Sequence, residues 1–255
     1  MERYREIKKI EIEDKYLYMD SGTSDGTQIK YHKGDVWYKV DNIGGEGLSE
    51  YLASKVLLCS NLKAEEYVVY EPVIINGKTG CCSKNCLKDN DSLISFYRLW
   101  AGTRGGDIAT YLSKMDYDDA IETVIGFIGN ETGLDIRRYL ANCMAFSMFI
   151  RNEDLHFNNY QLIYDGNSFR EAPIMDNGRS MFVGNKLFDN KKSVKENIKN
   201  TYSKSFSPSY ELNYNYLKEY CDLEIDMDRL RNELDKEPES YQRDFLMYQA
   251  GINLK

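Results

Sequence analysis

The interpretation of this chain depends most on one stretch, Ile150-Arg151-Asn152-Glu153-Asp154-Leu155-His156-Phe157-Asn158-Asn159-Tyr160. It places Asp154 five residues before Asn159, after a long apolar segment and before a predicted β-hairpin. A second aspartate, Asp176, follows that hairpin. Phosphoryl transfer requires one carboxylate to orient the acceptor hydroxyl, and an amide and a second carboxylate to hold magnesium. These three side chains therefore make the chain a candidate kinase.

The composition is that of an acidic globular protein. The 255 residues are 42% hydrophobic and 29% charged, with a formal net charge of −8 at pH 7. A chain of this length can bury a core, either as one large domain or as two lobes that share a cleft. The negative charge argues against direct binding to nucleic acid or to an anionic membrane, since both require a basic surface.

The sequence predicts a cytoplasmic protein. Its N-terminus is charged, and no apolar segment reaches the roughly 20 residues that a membrane helix needs. The six cysteines are too sparse for a disulfide scaffold, so we expect reduced thiols. Secretion without a signal peptide stays open.

The first part of the chain is predicted to be rich in β-structure. Turn signals and β-branched or aromatic runs indicate strands over residues 16–20, 28–32, 36–40, 67–75 and 80–86, with a helix over 47–60. The last two strands flank Asn76-Gly77, which is a strong hairpin signal.

The second part is predicted to be mainly helical. Helices are expected over residues 91–101, 117–129 and 133–151, strands over 160–164 and 168–174, and several amphipathic helices over 190–250. We therefore predict an α+β fold with a small β-rich lobe, residues 1–88, a hinge near 84–90, and a larger helical lobe, residues 89–255.

A loop rich in small residues precedes the predicted strand at 36–40. It reads Ser21-Gly22-Thr23-Ser24-Asp25-Gly26-Thr27-Gln28-Ile29-Lys30. Backbone N–H groups in such a loop can approach a phosphate closely, because small side chains leave room. By itself, such a run is more often a plain turn between strands.

Lys39 lies in the strand that follows this loop. A strand lysine at this place can bind the α- and β-phosphates of ATP, although a lysine facing solvent is the commoner case. Glu46 and Glu50 lie near the start of the next helix, and either could pair with Lys39. We prefer Glu50, since it lies within the apolar stripe of that helix; an exposed glutamate is the alternative.

The predicted catalytic group is Asp154. It would orient the acceptor hydroxyl and accept its proton, while Asn159 and Asp176 would hold Mg²⁺ through hard oxygen ligands. His156, in the same loop, is not the predicted base: we expect it to hydrogen-bond to the backbone, with an orienting role toward Asp176 as the alternative. Each aspartate taken singly could instead serve a turn, and only the combination with Lys39 favours a kinase.

These residues resemble the motifs of the HipA-like kinases, the bacterial toxin kinases of HipA/HipB systems. The catalytic loop of that family, Asn-x-Asp-x-His-x-x-Asn, is matched by Asn152, Asp154, His156 and Asn159, its Gly-x-Gln-x-Lys loop end by Gly26, Gln28 and Lys30, and its metal-binding aspartate by Asp176. The resemblance covers roughly residues 20–180 and is greatest to short members of the CtkA type.

The resemblance implies a two-lobed protein-kinase-like fold that uses ATP and Mg²⁺ to phosphorylate serine or threonine of a protein substrate. It also implies autophosphorylation in the glycine-bearing loop. The candidate nucleotide contacts are Thr23, Ser24, Gly26, Thr27, Gln28 and Lys39, with Ser83 and Cys86 of the hinge beside the adenine. An antitoxin or other regulator is a candidate partner, although the N-terminal subdomain of full-length HipA has no counterpart here.

Some features depart from the family or from kinases in general. Asn158 stands where the family often has a basic residue, and the absence of His-Arg-Asp and Ala-Pro-Glu motifs argues against a eukaryotic-type kinase. A kinase of small molecules or lipid head groups and a nucleotide-binding pseudokinase both stay open. The basic run over residues 186–204 indicates either a site for an acidic partner or, more commonly, a solvated helix face.

Overall fold

A computed structural model describes residues 7–18 and 28–251, and the structural statements below concern these residues. They pack into two compact units. Unit 1 comprises the described residues up to Cys86, the segment Met175–Asn200 and the described residues from Glu224 onward, whereas unit 2 comprises Leu87–Ile174 and Thr201–Leu223. These two units do not test the lobe boundary predicted between residues 88 and 89, which stays a prediction.

The described residues form eight strands and nine α-helices. The strands are β1 (Lys8–Ile10), β2 (Lys30–Lys33), β3 (Val36–Val40), β4 (Tyr70–Ile75), β5 (Lys78–Lys84), β6 (Ser92–Ser95), β7 (Gln161–Tyr164) and β8 (Phe169–Glu171). The helices are α1 (Glu46–Leu58), α2 (Phe96–Thr103), α3 (Ile108–Leu112), α4 (Tyr117–Thr132), α5 (Arg137–Ile150), α6 (Val194–Ile198), α7 (Tyr210–Leu217), α8 (Met227–Leu234) and α9 (Tyr241–Gln249).

Unit 1 is built on a five-stranded sheet in the order β1-β4-β5-β3-β2. All neighbours are antiparallel except β1, which runs parallel to β4. Asn76 and Gly77 join β4 to β5 with positive φ angles of 49° and 78°, as a tight two-residue hairpin turn requires. Ile75 then pairs directly with Lys78, so the hairpin predicted at this position is confirmed.

Two glycines mark close backbone approaches around β5: Gly47 where α1 packs against β5, and Gly80 where β5 faces Lys39 of β3. A Cβ atom on Gly47 would lie 2.5 Å from the carbonyl carbon of Gly80, and one on Gly80 would lie 2.2 Å from the carbonyl oxygen of Lys39. Neither position has room for a side chain. Together the two approaches set the spacing between the helix that carries Glu50 and the strand that carries Lys39.

Unit 2 combines helices with a three-stranded antiparallel sheet, β6-β7-β8. Helix α5 is buried along most of its length, as its almost entirely apolar sequence predicts. No helix among the described residues is both long and apolar enough to pass through a bilayer.

The structure corrects the helix predicted over residues 91–101. Its first residues form β6, in which Ser92 pairs with Tyr164 and Ser95 with Gln161. Ser95 then caps α2 by accepting a hydrogen bond from the backbone N–H of Arg98. The strand depends on a partner more than sixty residues away, which the local sequence pattern does not reveal.

Two further predictions are corrected near the chain start and in the second hairpin. Of the strand predicted over residues 16–20, Tyr16 instead ends a 3₁₀ turn over Asp14–Tyr16, whereas Leu17 forms an isolated antiparallel bridge with Tyr31. Residues 19 and 20 lie outside the described residues. The strand predicted over 168–174 is shorter, Phe169–Glu171. Strand β1 and helix α3 were not predicted.

We expect the substitution Gly80→Ala to lower the free energy of unfolding by about 1–3 kcal/mol, because the new methyl group overpacks the contact with β3. Gly126→Ala is the matched control. It lies on the exposed side of α4 with no atom within 4 Å of a Cβ, so it should raise that free energy by about 0.5–1 kcal/mol. Urea unfolding followed by circular dichroism measures both. Equal stability of the two variants would contradict the close approach.

Candidate functional site

Lys39 lies at the centre of a buried charged cluster in unit 1. It stands on β3, opposite Cys81 of β5, and is only 9% exposed. Its ammonium Nζ lies 2.7 Å from Oε1 of Glu50 and 2.7 Å from Oδ1 of Asp176. Three parts of the chain thus converge on one cation: a strand, helix α1 and the segment after β8.

Tyr70 is a fourth member of this cluster, and the sequence analysis did not single it out. Its hydroxyl lies 3.3 Å from Nζ of Lys39, and the ammonium lies 4.8 Å from the ring centroid. Tyr70 is 4% exposed, so it holds the lysine against an aromatic face away from solvent. The predicted hairpin placed Tyr70 on a neighbouring strand, but its contact with Lys39 depends on the register of three strands.

The two carboxylates decide the charge of the lysine. Burial by itself lowers the pKa of Lys39, but the carboxylates of Asp176 and Glu50 outweigh this and hold the pKa well above its usual value. Lys39 therefore carries its positive charge at neutral pH. Burial also raises the pKa of Glu50, and the Lys39 ammonium opposes that rise.

Glu50 also fixes the backbone beside Asp176. Its Oε2 accepts a hydrogen bond of 2.8 Å from the N–H of Asn177. Asp176 adopts a left-handed φ of 64°, which aspartate tolerates better than most residues. Although its Oδ1 contacts Lys39, the Asp176 side chain is 37% exposed. An accessible carboxylate of this kind suits Mg²⁺, which prefers hard oxygen ligands.

Glu46, the other glutamate considered as a partner for Lys39, is used elsewhere. Its Oε1 accepts hydrogen bonds from the N–H groups of Asn42 and Ile43, at 3.1 and 2.8 Å. It therefore organises the loop before α1, and Glu50 is the helix glutamate that contacts the lysine.

In unit 2, the loop from Asn152 to Asn159 is organised by its own amide side chains. It begins where Arg151 ends α5 with a left-handed φ of 51°. Asn152 is 2% exposed, and its Oδ1 accepts the N–H of Asp154 at 2.9 Å. Asn159 donates from Nδ2 to the carbonyl of Asp154 at 2.6 Å. Both asparagines thus hold the backbone of Asp154 from opposite sides.

The side chain of Asp154 is 32% exposed and faces two basic groups. Nζ of Lys204 lies 3.1 Å from its Oδ1, and Nε2 of His156 lies 3.9 Å away. Nδ1 of His156 accepts the N–H of Asn158 at 3.2 Å, which leaves Nε2 as the protonated nitrogen of the neutral ring. The contact with Lys204, fifty residues further along the chain, is absent from the sequence analysis.

The predicted nucleotide contacts are described only in part. Ser83, on β5, is 8% exposed, and Cys86 packs against the buried cluster that contains Tyr70 and Cys81. Gln28 is half-buried, and its Nε2 is a buried donor without a hydrogen-bond partner among the described residues. Such a donor fits a ligand oxygen. Four other predicted contacts lie outside the described residues: Thr23, Ser24, Gly26 and Thr27.

The two predicted metal ligands, Asp176 and Asn159, each carry an oxygen of the kind that Mg²⁺ binds. In the described part of the chain, no three or more His, Cys, Asp or Glu side chains are grouped to hold a metal ion. A magnesium ion in a kinase needs fewer protein ligands, because phosphate oxygens and waters complete its shell. Asp176 offers a carboxylate, and Asn159 offers Oδ1, since its Nδ2 is engaged. The roles predicted for these residues stay predictions at this point.

We expect Lys39→Met to destabilise unit 1 strongly. The Glu50 side chain, 2% exposed, would keep a buried carboxylate without its cation, at a cost of about 3–5 kcal/mol. The double variant Lys39→Met/Glu50→Gln should recover much of this loss, because glutamine removes the charge and still accepts from Asn177. Urea unfolding compares the two proteins. A double variant no more stable than Lys39→Met would contradict the assignment.

No family model matches the sequence, and no curated protein sequence does. Solved structures do match the fold. The proinflammatory kinase CtkA of Helicobacter pylori is 15% identical, with 96% of this chain and 93% of CtkA covered and a TM-score of 0.66. HipA of Shewanella oneidensis MR-1, solved in a toxin–antitoxin complex with HipB and operator DNA, is 8% identical, with a TM-score of 0.53.

The match to HipA covers 92% of this chain and 60% of the HipA chain, so this chain spans well under the whole length of that protein. At such low identities the similarity concerns the fold. The α+β class, with a β-sheet lobe and a helical lobe, is as predicted. The chain therefore has the fold of the HipA-like kinases CtkA and HipA, which confirms the resemblance found in the sequence.

Proposed function

We propose that this protein is an ATP- and Mg²⁺-dependent protein serine/threonine kinase of the HipA-like type. The observation that carries the proposal is the contact of the buried Lys39 with the buried Glu50 and the more exposed Asp176, with both ion-pair distances at 2.7 Å. A lysine kept charged inside a fold, beside an accessible carboxylate, is suited to bind a phosphate next to a metal ion. A surface lysine would show neither the burial nor the two partners.

The residues of unit 1 bind and orient ATP in this proposal. Lys39 contacts phosphate oxygens, and Glu50 holds the ammonium in place while it fixes the backbone next to Asp176. Asp176 would bind Mg²⁺ through its carboxylate, and Asn159 is proposed as a second ligand because it matches the family's motif. The ion, when bound, neutralises charge on the phosphate oxygens. Because Lys39 and Asp176 are in direct contact, they can act on neighbouring oxygens of the same phosphate group.

Asp154 acts on the acceptor. Its carboxylate accepts the proton of a serine or threonine hydroxyl as that oxygen bonds to the γ-phosphorus, and the bond from phosphorus to the ADP oxygen breaks. The contacts with Lys204 and His156 limit the positions that the carboxylate can take. The amide bonds of Asn152 and Asn159 fix its backbone, which supports a precise orienting role.

The descriptions of the two proteins of similar fold, CtkA and HipA, support this proposal. CtkA is described as a kinase, and HipA belongs to a toxin–antitoxin system with HipB. We propose on this basis that the chain has a protein substrate and that a regulatory partner binds it. Autophosphorylation at Thr23 or Ser24 and a cytoplasmic location are part of the same proposal.

Two substitutions separate metal binding from acceptor chemistry. We expect Asp154→Asn to reduce phosphate transfer about 10²–10⁴-fold, because the proton acceptor is lost, and to keep the thermal stabilisation by ATP with Mg²⁺. Asp176→Asn should lose both. Asp119→Asn, an exposed aspartate on α4 with the same change in charge, is the control and should resemble the wild type.

The readouts are melting temperature with and without ATP and Mg²⁺, and phosphosite mapping by mass spectrometry after incubation with both. Unchanged transfer in both active-site variants would overturn the mechanism. ATP binding without any transfer would indicate a pseudokinase. Phosphate found only on a small acceptor, and never on protein, would indicate a kinase of small molecules or lipid head groups.

A further inference from the structure

Residues 185–200 of unit 1 form a closed loop, here called the basic loop. Its two ends are joined by side-chain amides: Nδ2 of Asn185 donates to the carbonyl of Asn200 at 3.1 Å, and Nδ2 of Asn200 donates to the carbonyl of Leu187 at 3.3 Å. Compact surface loops whose ends lie together are frequently functional. The basic loop begins nine residues after Asp176 and belongs to the same unit.

The buried Asn197 organises the interior of the basic loop. It is 2% exposed, its Oδ1 accepts the N–H of Asp189 at 2.9 Å, and its Nδ2 contacts the carbonyls of Asp189, Lys192 and Ser193 at 2.9, 3.3 and 3.2 Å. Ser193 and Glu196 form a capping box that starts α6. The loop therefore has a defined backbone although much of it is exposed.

An aromatic side chain anchors the basic loop to unit 1. Phe188 stacks on Phe182 with ring centroids 5.2 Å apart, and it lies 4.9 Å from the ring of Tyr241 on α9. Its neighbour Leu187 points outward and is 64% exposed. The basic loop is therefore held in place by Phe188, while the apolar side chain of Leu187 stays in solvent.

The basic loop carries an excess of positive charge. All five of its lysines are exposed: Lys186, Lys191, Lys192, Lys195 and Lys199. Its two acidic residues serve the loop itself, since Asp189 accepts the N–H of Lys191 and Glu196 accepts from Ser193. Among the described residues, the only ion pair of these lysines joins Lys192 to Asp189 at 4.0 Å. Four cations are therefore available to an anionic partner.

We infer that the basic loop binds an acidic segment of the phosphoacceptor protein, an inference that rests on the proposed kinase function. The chain as a whole carries a net charge of −8, so most of its surface repels an acidic partner. Attraction confined to one loop selects both the partner and its orientation. The exposed Leu187, next to Lys186 in the sequence, adds an apolar contact to the charged surface.

A protein segment fits this surface better than a membrane or a nucleic acid does. A bilayer or a duplex presents negative charge over an area far larger than a 16-residue loop and would also meet the acidic remainder of the protein. A short acidic peptide can contact the lysines alone. Its carboxylates are also the commonest partners of exposed lysines in proteins.

The test measures binding without ATP, so it does not depend on turnover. The probe is a fluorescein-labelled 12-residue peptide of Glu and Asp with one central Ser, compared by fluorescence anisotropy with a peptide in which Gln and Asn replace the acids. The wild type should bind the acidic peptide, more weakly as salt is raised, because exposed charges are screened. It should bind the neutral peptide at least tenfold more weakly.

The triple variant Lys191→Gln/Lys195→Gln/Lys199→Gln should weaken binding of the acidic peptide about five- to tenfold, the sum expected for three exposed charge contacts. The control is Lys8→Gln/Lys9→Gln/Lys78→Gln, which makes the same change in charge at exposed sites of unit 1 and should change binding less than twofold. Circular dichroism confirms that both proteins are folded, as expected for exposed substitutions.

Three outcomes would overturn the inference: no binding of the acidic peptide, equal weakening by both triple variants, or loop-dependent binding of phosphatidylserine vesicles or duplex DNA in place of the peptide. Failure of the kinase proposal has a different signature. In that case the loop-dependent peptide binding persists, but no phosphate reaches the central serine or any protein acceptor. A kinase whose KM for the acidic peptide is unchanged in the loop variant contradicts the inference alone.

Discussion

The buried carboxylate of Glu50 is the constraint on which the candidate site depends. One oxygen accepts from the ammonium of Lys39 and the other from the N–H of Asn177, so a single side chain fixes a strand and the segment after β8. An unpaired carboxylate at 2% exposure would be very unfavourable, and so would a lysine at 9% without its anions. Each group is stable inside the unit only because the others are present. A well-packed apolar set can match such a cluster in stability, so stability by itself does not account for this arrangement.

The backbone around this cluster is shaped to allow it. Gly47 lets α1 pack against the backbone of β5, and Gly80 lets β5 lie close to the Lys39 carbonyl on β3, so the Glu50 side chain can reach Lys39. Asp176 takes a left-handed backbone conformation. Its partly buried neighbour Met175 packs against the cluster that contains Tyr70, and the N–H of Asn177 bonds to Glu50. Tight glycine packing and local strain near an accessible carboxylate are typical of sites where precise placement matters more than stability.

The sequence predicted the parts of the site that local rules determine. Turn signals and a β-branched and aromatic run placed Lys39 in a strand, periodicity placed Glu50 in a helix, and Asn76-Gly77 predicted the hairpin that joins β4 to β5. It did not predict the contacts that long-range pairing determines. The position of Tyr70 near Lys39 requires the register of β3, β5 and β4, and β6 forms only because β7 is available. Lys204 meets Asp154 across fifty residues of chain, for which no periodic signal exists.

The Asn152–Asn159 loop and the basic loop are stabilised in the same way. Neither the Asn152–Asn159 loop nor the basic loop is a regular helix or strand along its length, and in both, asparagine side chains replace the missing backbone hydrogen bonds. In a strand, successive side chains point to opposite faces, and in a helix they advance around the axis. A loop fixed by amides has no such period, so charged groups can be directed to one side: Asp154 toward its basic neighbours, and the loop lysines toward solvent. Hydrophobic periodicity therefore carries little information about these segments. The spacing of asparagines, aspartates and lysines carries more, which is why the Asn152–Asn159 loop could be identified by its motif, whereas the closure of the basic loop required the structure.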